Sequence, residues 1–176
     1  GGFVSQRSGA QGEEHAFLAK IGLFDHRRGR TEQILVFGAD ALPFPEGPLF
    51  RPRGRDLHEV PWLERFVAAI PPGGSILDIG CGMGEPVARW LIERGYALTG
   101  VDSSKSLIEL CRERFPDHQW LVGDMRRLDL DRRFDGLIAW HSFFHLSPEE
   151  QRPMFARFAA HGRPGAPLMF TSGSSH

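Results

Sequence analysis

From Leu57 onward, short apolar runs alternate with amphipathic stretches, and this alternation constrains the fold more than any other feature of the chain. "LHEVPWLERFVAAI" places Trp62, Leu63, Phe66, Val67 and Ile70 on one helical face. "SILDIG", "YALTGVD", "HQWLVGD", "FDGLIAW" and "LMFTS" are nearly unbroken apolar runs, as strands are when helices cover both faces of their sheet. Between them lie the helical stretches "EPVARWLIERG", "SKSLIELCRERF" and "SPEEQRPMFARFAAHG", and the polar connection "MRRLDLDRR". Pro86 is tolerable in the first turn of its helix. Ser147, Pro148 and Glu150 form a capping-box start, with Pro153 placed to distort the opening of the same helix. Strands joined through helices need right-handed crossovers and form a parallel sheet. The expected class is therefore α/β: a parallel sheet with helices on both faces.

Residues 1–56 read differently. "GADALPFPEGPLFRPRGR" is rich in proline and glycine, which marks an irregular N-terminal extension or cover. Two pieces inside it have regular patterning. "GEEHAFLAKIGLF" carries Phe17, Leu18 and Ile21 at helical spacing, and Ile34–Phe37 is a short strand candidate. The domain proper is expected over 57–176.

Composition narrows the partners. With 176 residues and 41% apolar content the chain can bury one sizeable core. A net charge of −1 argues against a dedicated binder of nucleic acid or of a membrane surface. No apolar run approaches the roughly 18 residues of a membrane span, and no signal-peptide pattern opens the chain. Cys81 and Cys111 stand in unrelated contexts, so neither a metal site nor a disulfide framework is expected, and a reducing, cytoplasmic setting follows.

The chemistry-bearing positions cluster after the strands. "ILDIGCGMGEP" puts Gly80, Gly82 and Gly84 where a strand turns into a helix. Glycine there permits positive φ and close approach of a ligand, but a plain tight turn has the same appearance. A pyrophosphate site favours G-x-G-x-x-G; here the spacing is G-x-G-x-G and Glu85 follows, which counts against a phosphate. In "GVDSS", Asp102 ends the next strand and can accept from both hydroxyls of a ribose, or serve as a helix cap. In "GDMRRLD", Asp124 can accept from an exocyclic amine while Met125 packs on a ring. "WHSFFHL" crowds Trp140, His141, Phe143, Phe144 and His145 at the carboxyl edge of the sheet, where open α/β sheets bind ligands. His141 and His145 are candidate proton acceptors, with structural hydrogen bonding as the alternative; Phe143 and Phe144 are candidate pocket walls, with core packing as the alternative.

Taken in order, "ILDIGCGMGEP", "GVDSS", "GDMRRLD", "FDGLIAWHSFFHLSPEEQ" and "RPGAPLMFTSG" resemble the successive motifs of class I S-adenosylmethionine-dependent methyltransferases over residues 57–173. The resemblance implies that Asp78, Gly80, Cys81, Gly82 and Gly84 hold the methionine end of S-adenosylmethionine. It assigns Asp102 with Ser103 to the ribose, and Asp124 with Met125 to the adenine. Trp140 takes the position whose backbone lies near the cofactor. It implies transfer of a methyl group to an O, N or S nucleophile of a small molecule, leaving S-adenosylhomocysteine. A non-catalytic S-adenosylmethionine-binding protein and a nicotinamide-dependent oxidoreductase are the alternatives. The fold that the resemblance implies is a Rossmann-like open sheet, mostly parallel, with helices on both faces, ordered 3-2-1-4-5 and usually continued by an antiparallel 7-6 pair. No such pair follows "LMFTS" here, so cover for that edge is expected from residues 1–56, from a homodimer partner, or from chain outside this sequence.

Overall fold

The computed structural model describes residues 57 and 59–172 and the strand backbones 21–23 and 33–37. The parallel core comprises β3 (Ser75–Ile79), β4 (Ala97–Asp102), β5 (Gln119–Val122), β6 (Gly136–Ala139) and β7 (Leu168–Ser172). Their spatial order is β7-β6-β3-β4-β5, all pairs parallel. The helices are α1 (Val60–Ala68), α2 (Val87–Glu93), α3 (Lys105–Arg114) and α4 (Pro148–His161).

Side chains of a strand alternate between faces, and β3 shows why both faces are apolar. Ile76 packs into a core with Trp62, Leu63, Phe66, Leu91 and Ile108 from α1, α2 and α3. Leu77 and Ile79 pack on the other side with Phe134, Phe143, Phe158 and Phe170. Ser104 caps α3, accepting the Leu107 N–H at 3.5 Å. Ser147 and Glu150 close a reciprocal capping box on α4, at 3.3 and 3.0 Å. That helix runs on through Pro153.

One of the open alternatives for the β7 edge is met, and three other expectations change. The outer edge of β7 is covered from within the chain. β2 (Gln33–Phe37) pairs antiparallel with it from Gln33↔Ser172 to Phe37↔Leu168, and β1 (Ile21–Leu23) pairs antiparallel with β2. The antiparallel pair precedes the parallel core in sequence, and the reason for invoking a homodimer at this edge disappears. Ile21 lies in a strand rather than a helix; Phe17 and Leu18 fall outside the described residues. Pro86 caps α2 from outside, since the turn after Glu85 places it before the first helical residue. The polar connection contains a single 3₁₀ turn, Met125–Arg127, started by Asp124, whose carboxylate accepts the Arg126 N–H. Among the described residues no helix is long and apolar enough to cross a membrane.

Candidate functional site

The carboxyl ends of the central strands open onto a cleft of about 280 Å³. Of the residues singled out from the sequence, Gly80, Asp102, Ser103, Asp124, Met125 and His145 line it. Arg126, Leu146 and Glu150 line it too, without having been singled out for the cleft.

The glycine loop is built by spending its own amides. The N–H groups of Gly80 and Cys81 both donate to the Val101 carbonyl, at 2.7 and 3.2 Å. The Gly82 N–H donates to Asp102 Oδ2 at 2.9 Å, and the Gly84 N–H to the Cys81 carbonyl at 3.0 Å. Gly80 has φ 77°, and a Cβ there would lie 2.2 Å from the Cβ of Ser142. Ser142 is fixed in turn by donating to the Ile79 carbonyl at 2.6 Å. Gly82 has φ 56°, but a Cβ there would meet nothing within 4 Å. Gly84 packs against Phe115 and Cys111.

Three carboxylates end the three successive strands or the turns after them. Asp78 is 4% exposed and no hydrogen bond to its carboxyl occurs among the described residues. Burial, and then the nearby charge of Asp102, push that carboxyl up to about 7. Asp102 accepts the Ser104 N–H on Oδ1 at 2.9 Å besides holding Gly82. Asp124 accepts the Arg126 N–H at 2.9 Å and meets the Arg126 guanidinium at 2.6 Å. Those hydrogen bonds from Arg126 hold its carboxyl down at about 2. The same guanidinium donates to Glu150 Oε1 at 2.7 Å, tying the turn after β5 to the start of α4. Cys81 and Cys111 are buried, and burial raises both thiols, Cys111 to about 11. Neither is a nucleophile near neutral pH.

This donor set suits one kind of ligand. Carboxylates around the cleft accept from hydroxyls and amines and attract a cation. A pyrophosphate would need free amides at the loop, and four of the loop amides are already bonded within the protein.

Past β6 the aromatic segment divides. Phe143 is 1% exposed, with ring centroids 5.8, 5.7 and 4.9 Å from those of Phe155, Phe158 and Phe170. It is a core residue and not a pocket wall, because the 3₁₀ turn Phe143–His145 points it under the sheet edge toward α4. Phe144 stays half-buried, its ring 4.4 Å from that of His145 and 6.2 Å from that of His141. Trp140 packs on the α1–α3 core and donates its indole N–H to Glu59 Oε1 at 3.5 Å. His141 has φ 51°, an uncommon value for a residue with a Cβ, and donates its N–H to Thr171 Oγ1 at 2.8 Å. Its Nε2 stands 3.6 Å from Glu59 Oε1.

Glu59 gave no signal of its own in the sequence, where it reads as one polar residue of an amphipathic helix. Arg126 was read as part of a polar connection and Glu150 as a capping residue. Their shared ion pair joins positions 24 apart, which local patterning does not reveal. Among the described residues, no group of three His, Cys, Asp or Glu side chains is placed to hold a metal ion.

Comparison with known proteins gives a consistent set of relatives. A family model described as "Methyltransferase domain" matches residues 76–165. The chain is 34% identical over 116 residues to dTDP-3-amino-3,6-dideoxy-alpha-D-glucopyranose N,N-dimethyltransferase of Streptomyces fradiae, covering 64% of this chain and 45% of that protein. It is 32% identical over 97 residues to dTDP-3-amino-3,4,6-trideoxy-alpha-D-glucopyranose N,N-dimethyltransferase of Streptomyces venezuelae, covering 54% of this chain and 40% of the relative. Among solved structures, S-adenosylmethionine-bound CalS10, an amino pentose methyltransferase from Micromonospora echinaspora, superposes with a TM-score of 0.58 at 26% identity, covering 67% of this chain and 50% of that one. The chain thus spans half or less of the length of these relatives.

Proposed function

Because this chain belongs to the methyltransferase domain family, we propose that it transfers a methyl group from S-adenosylmethionine to an oxygen, nitrogen or sulfur nucleophile of a small molecule. The observation that carries this reading is the trio of Asp78, Asp102 and Asp124 at the carboxyl ends of β3, β4 and β5, set around a loop whose amides are bonded internally. The donor supplies an electrophilic methyl group on a cationic sulfur. The chain's own task is then alignment in a water-poor cleft.

Asp102 is the ribose acceptor in this reading, held rigid by the Gly82 and Ser104 amides, with Ser103 beside it in the cleft. Asp124 and Met125 serve the adenine end from the turn after β5. Asp78, Gly80, Cys81, Gly82 and Gly84 shape the methionine end. Asp78 lies beneath the loop, and its buried carboxyl gains a partner if a cationic amine settles there. His145 lines the cleft and Phe144 contacts it, so His145 is the nearer candidate to take a proton from the acceptor, and His141 the more distant one. Phe144, half-buried with its ring against His145, is the remaining candidate wall for the acceptor. Two free, buried cysteines suit a reducing, cytoplasmic setting.

The test is transfer of labelled methyl from S-adenosylmethionine to matched amine, alcohol and thiol acceptors. Labelled product with any class supports the reading. Cofactor binding without transfer to any of the three favours a non-catalytic binding protein.

A further inference from the structure

Glu59 occupies the N-cap position of α1, yet its side chain makes no capping bond to its own helix. It reaches instead to the loop after β6, where Trp140 Nε1 stands at 3.5 Å and His141 Nε2 at 3.6 Å, both on Oε1. Charge-assisted hydrogen bonds normally close to about 2.7–2.9 Å, so both contacts are loose and leave the carboxylate able to accept more. Oε2 carries no bond to another described residue. The side chain is 23% exposed, so it is half-buried and still reachable. Burial pulls its carboxyl up and the His141 and Trp140 nitrogens pull it down; the balance lies below the ordinary value, so it is ionised at neutral pH.

Two rings, Trp140 and His141, turn a nitrogen toward this charge, and further rings continue from His141. Trp140 and His141 meet edge to face at 5.2 Å, His141 and Phe144 at 6.2 Å, and Phe144 contacts His145 at 4.4 Å. His145 lines the cleft, so the rings run from the cleft toward the carboxylate. His141 is held in this row against its backbone preference, at φ 51°, by its bond to buried Thr171. Backbone strain of this kind collects at functional sites.

We propose that Glu59 with the rings of Trp140, His141 and Phe144 forms an acceptor subsite selective for an amine over a hydroxyl group, a specificity that rests on the methyl-transfer reading above. An ionised carboxylate with accepting capacity to spare, in a half-buried aromatic setting, attracts an ammonium group more strongly than a neutral hydroxyl. The transfer itself favours the same choice. The bound ammonium first gives a proton to water, which frees the nitrogen lone pair; an N–CH₃ bond then forms as the donor's S–CH₃ bond breaks, the electron pair of that bond stays on sulfur, and the positive charge passes to nitrogen. The methylated ammonium then releases its proton to water. A fixed carboxylate stabilises that arriving charge. A hydroxyl acceptor must instead shed its proton and build negative charge, which the same carboxylate opposes.

The test follows the Trp140 indole N–H resonance in the isotope-labelled full chain, assigned with Trp140→Phe. Benzylammonium chloride and benzyl alcohol are the probes, at matched ionic strength, up to about 100 mM. The expected result is a saturable shift with benzylammonium, at least roughly tenfold weaker with benzyl alcohol and weakened as much by Glu59→Gln. Equal response to both probes, no response to either, or an undiminished response in Glu59→Gln overturns the subsite. If Glu59→Gln does not fold, the contrast between probes on the wild-type chain decides. Calorimetry with S-adenosylhomocysteine on the same sample separates the two readings. Heat there with no amine response removes the subsite alone, whereas absence of heat removes the methyl-transfer reading.

Discussion

Asp102 reaches back 20 residues to accept the Gly82 backbone N–H on Oδ2 at 2.9 Å, while its Oδ1 accepts that of Ser104 at 2.9 Å. One carboxylate thus fixes the glycine loop and the entry to α3 while facing the cleft. Asp102→Ala leaves both amides without an acceptor, and each such loss costs about 1–3 kcal/mol where water does not compensate. Urea denaturation should show a loss of about 1–3 kcal/mol, and calorimetry a Kd for S-adenosylhomocysteine raised roughly ten- to a hundredfold.

Gly80 and Gly82 should respond differently to the same substitution. Gly80→Ala forces a Cβ to within 2.2 Å of Ser142 at φ 77°, so strain adds to overpacking, together about 2–4 kcal/mol of stability. Gly82→Ala meets nothing within 4 Å and carries only the cost of φ 56°, about 1–2 kcal/mol. Its methyl enters space beside the loop. Denaturation midpoints should therefore fall further for Gly80→Ala, while Gly82→Ala should lose more cofactor affinity than its stability change explains.

Asp78 gives the protein a pH dependence with a defined sign. Its carboxyl sits at about 7 when folded against an ordinary 3.8, from burial first and Asp102 second. Between those values the folded state keeps a proton that the unfolded chain has released. The contribution is intact below about pH 4, declines as pH rises, and is gone above about pH 7, at a total cost of roughly 4 kcal/mol. Asp78→Asn removes the titration, so its stability relative to wild type should rise between pH 5 and pH 8 by roughly 2–3 kcal/mol. A constant difference between the two across that range, measured by urea midpoints, would show that Asp78 does not titrate there.

Phe143 and Phe144, adjacent in sequence, have opposite surroundings. Phe143→Ala empties a site packed by Phe158 and Phe170 and should cost about 3–5 kcal/mol. Phe144→Ala, at a half-buried ring, should cost about 1 kcal/mol or less and act on acceptor turnover instead. Thermal denaturation of the two variants separates them.

What the sequence made legible follows the range of the interactions. The strand and helix runs from Leu57 were readable because burial on two faces writes a local pattern, and the Ser147–Glu150 capping box is written within four residues. The glycine loop and the acidic ends of β4 and β5 were readable from their place after apolar runs. Phe143 was misplaced because "FF" does not say which ring the turn directs inward. Glu59 was missed because its partners lie 81 and 82 residues away and its own neighbours describe only a helix. The N-terminal strand pair was half visible: Ile34–Phe37 had strand character, but Ile21 shared a helical spacing that pairing with Leu35 overrides.

Calorimetric titration of the full chain with S-adenosylhomocysteine, beside NADH under the same conditions, tests the central claim most directly. Saturable single-site heat is expected with S-adenosylhomocysteine, weakened at least tenfold by Asp102→Ala, and none with NADH. A folded sample that gives no heat with S-adenosylhomocysteine at about 1 mM, or that binds NADH more tightly, would contradict it.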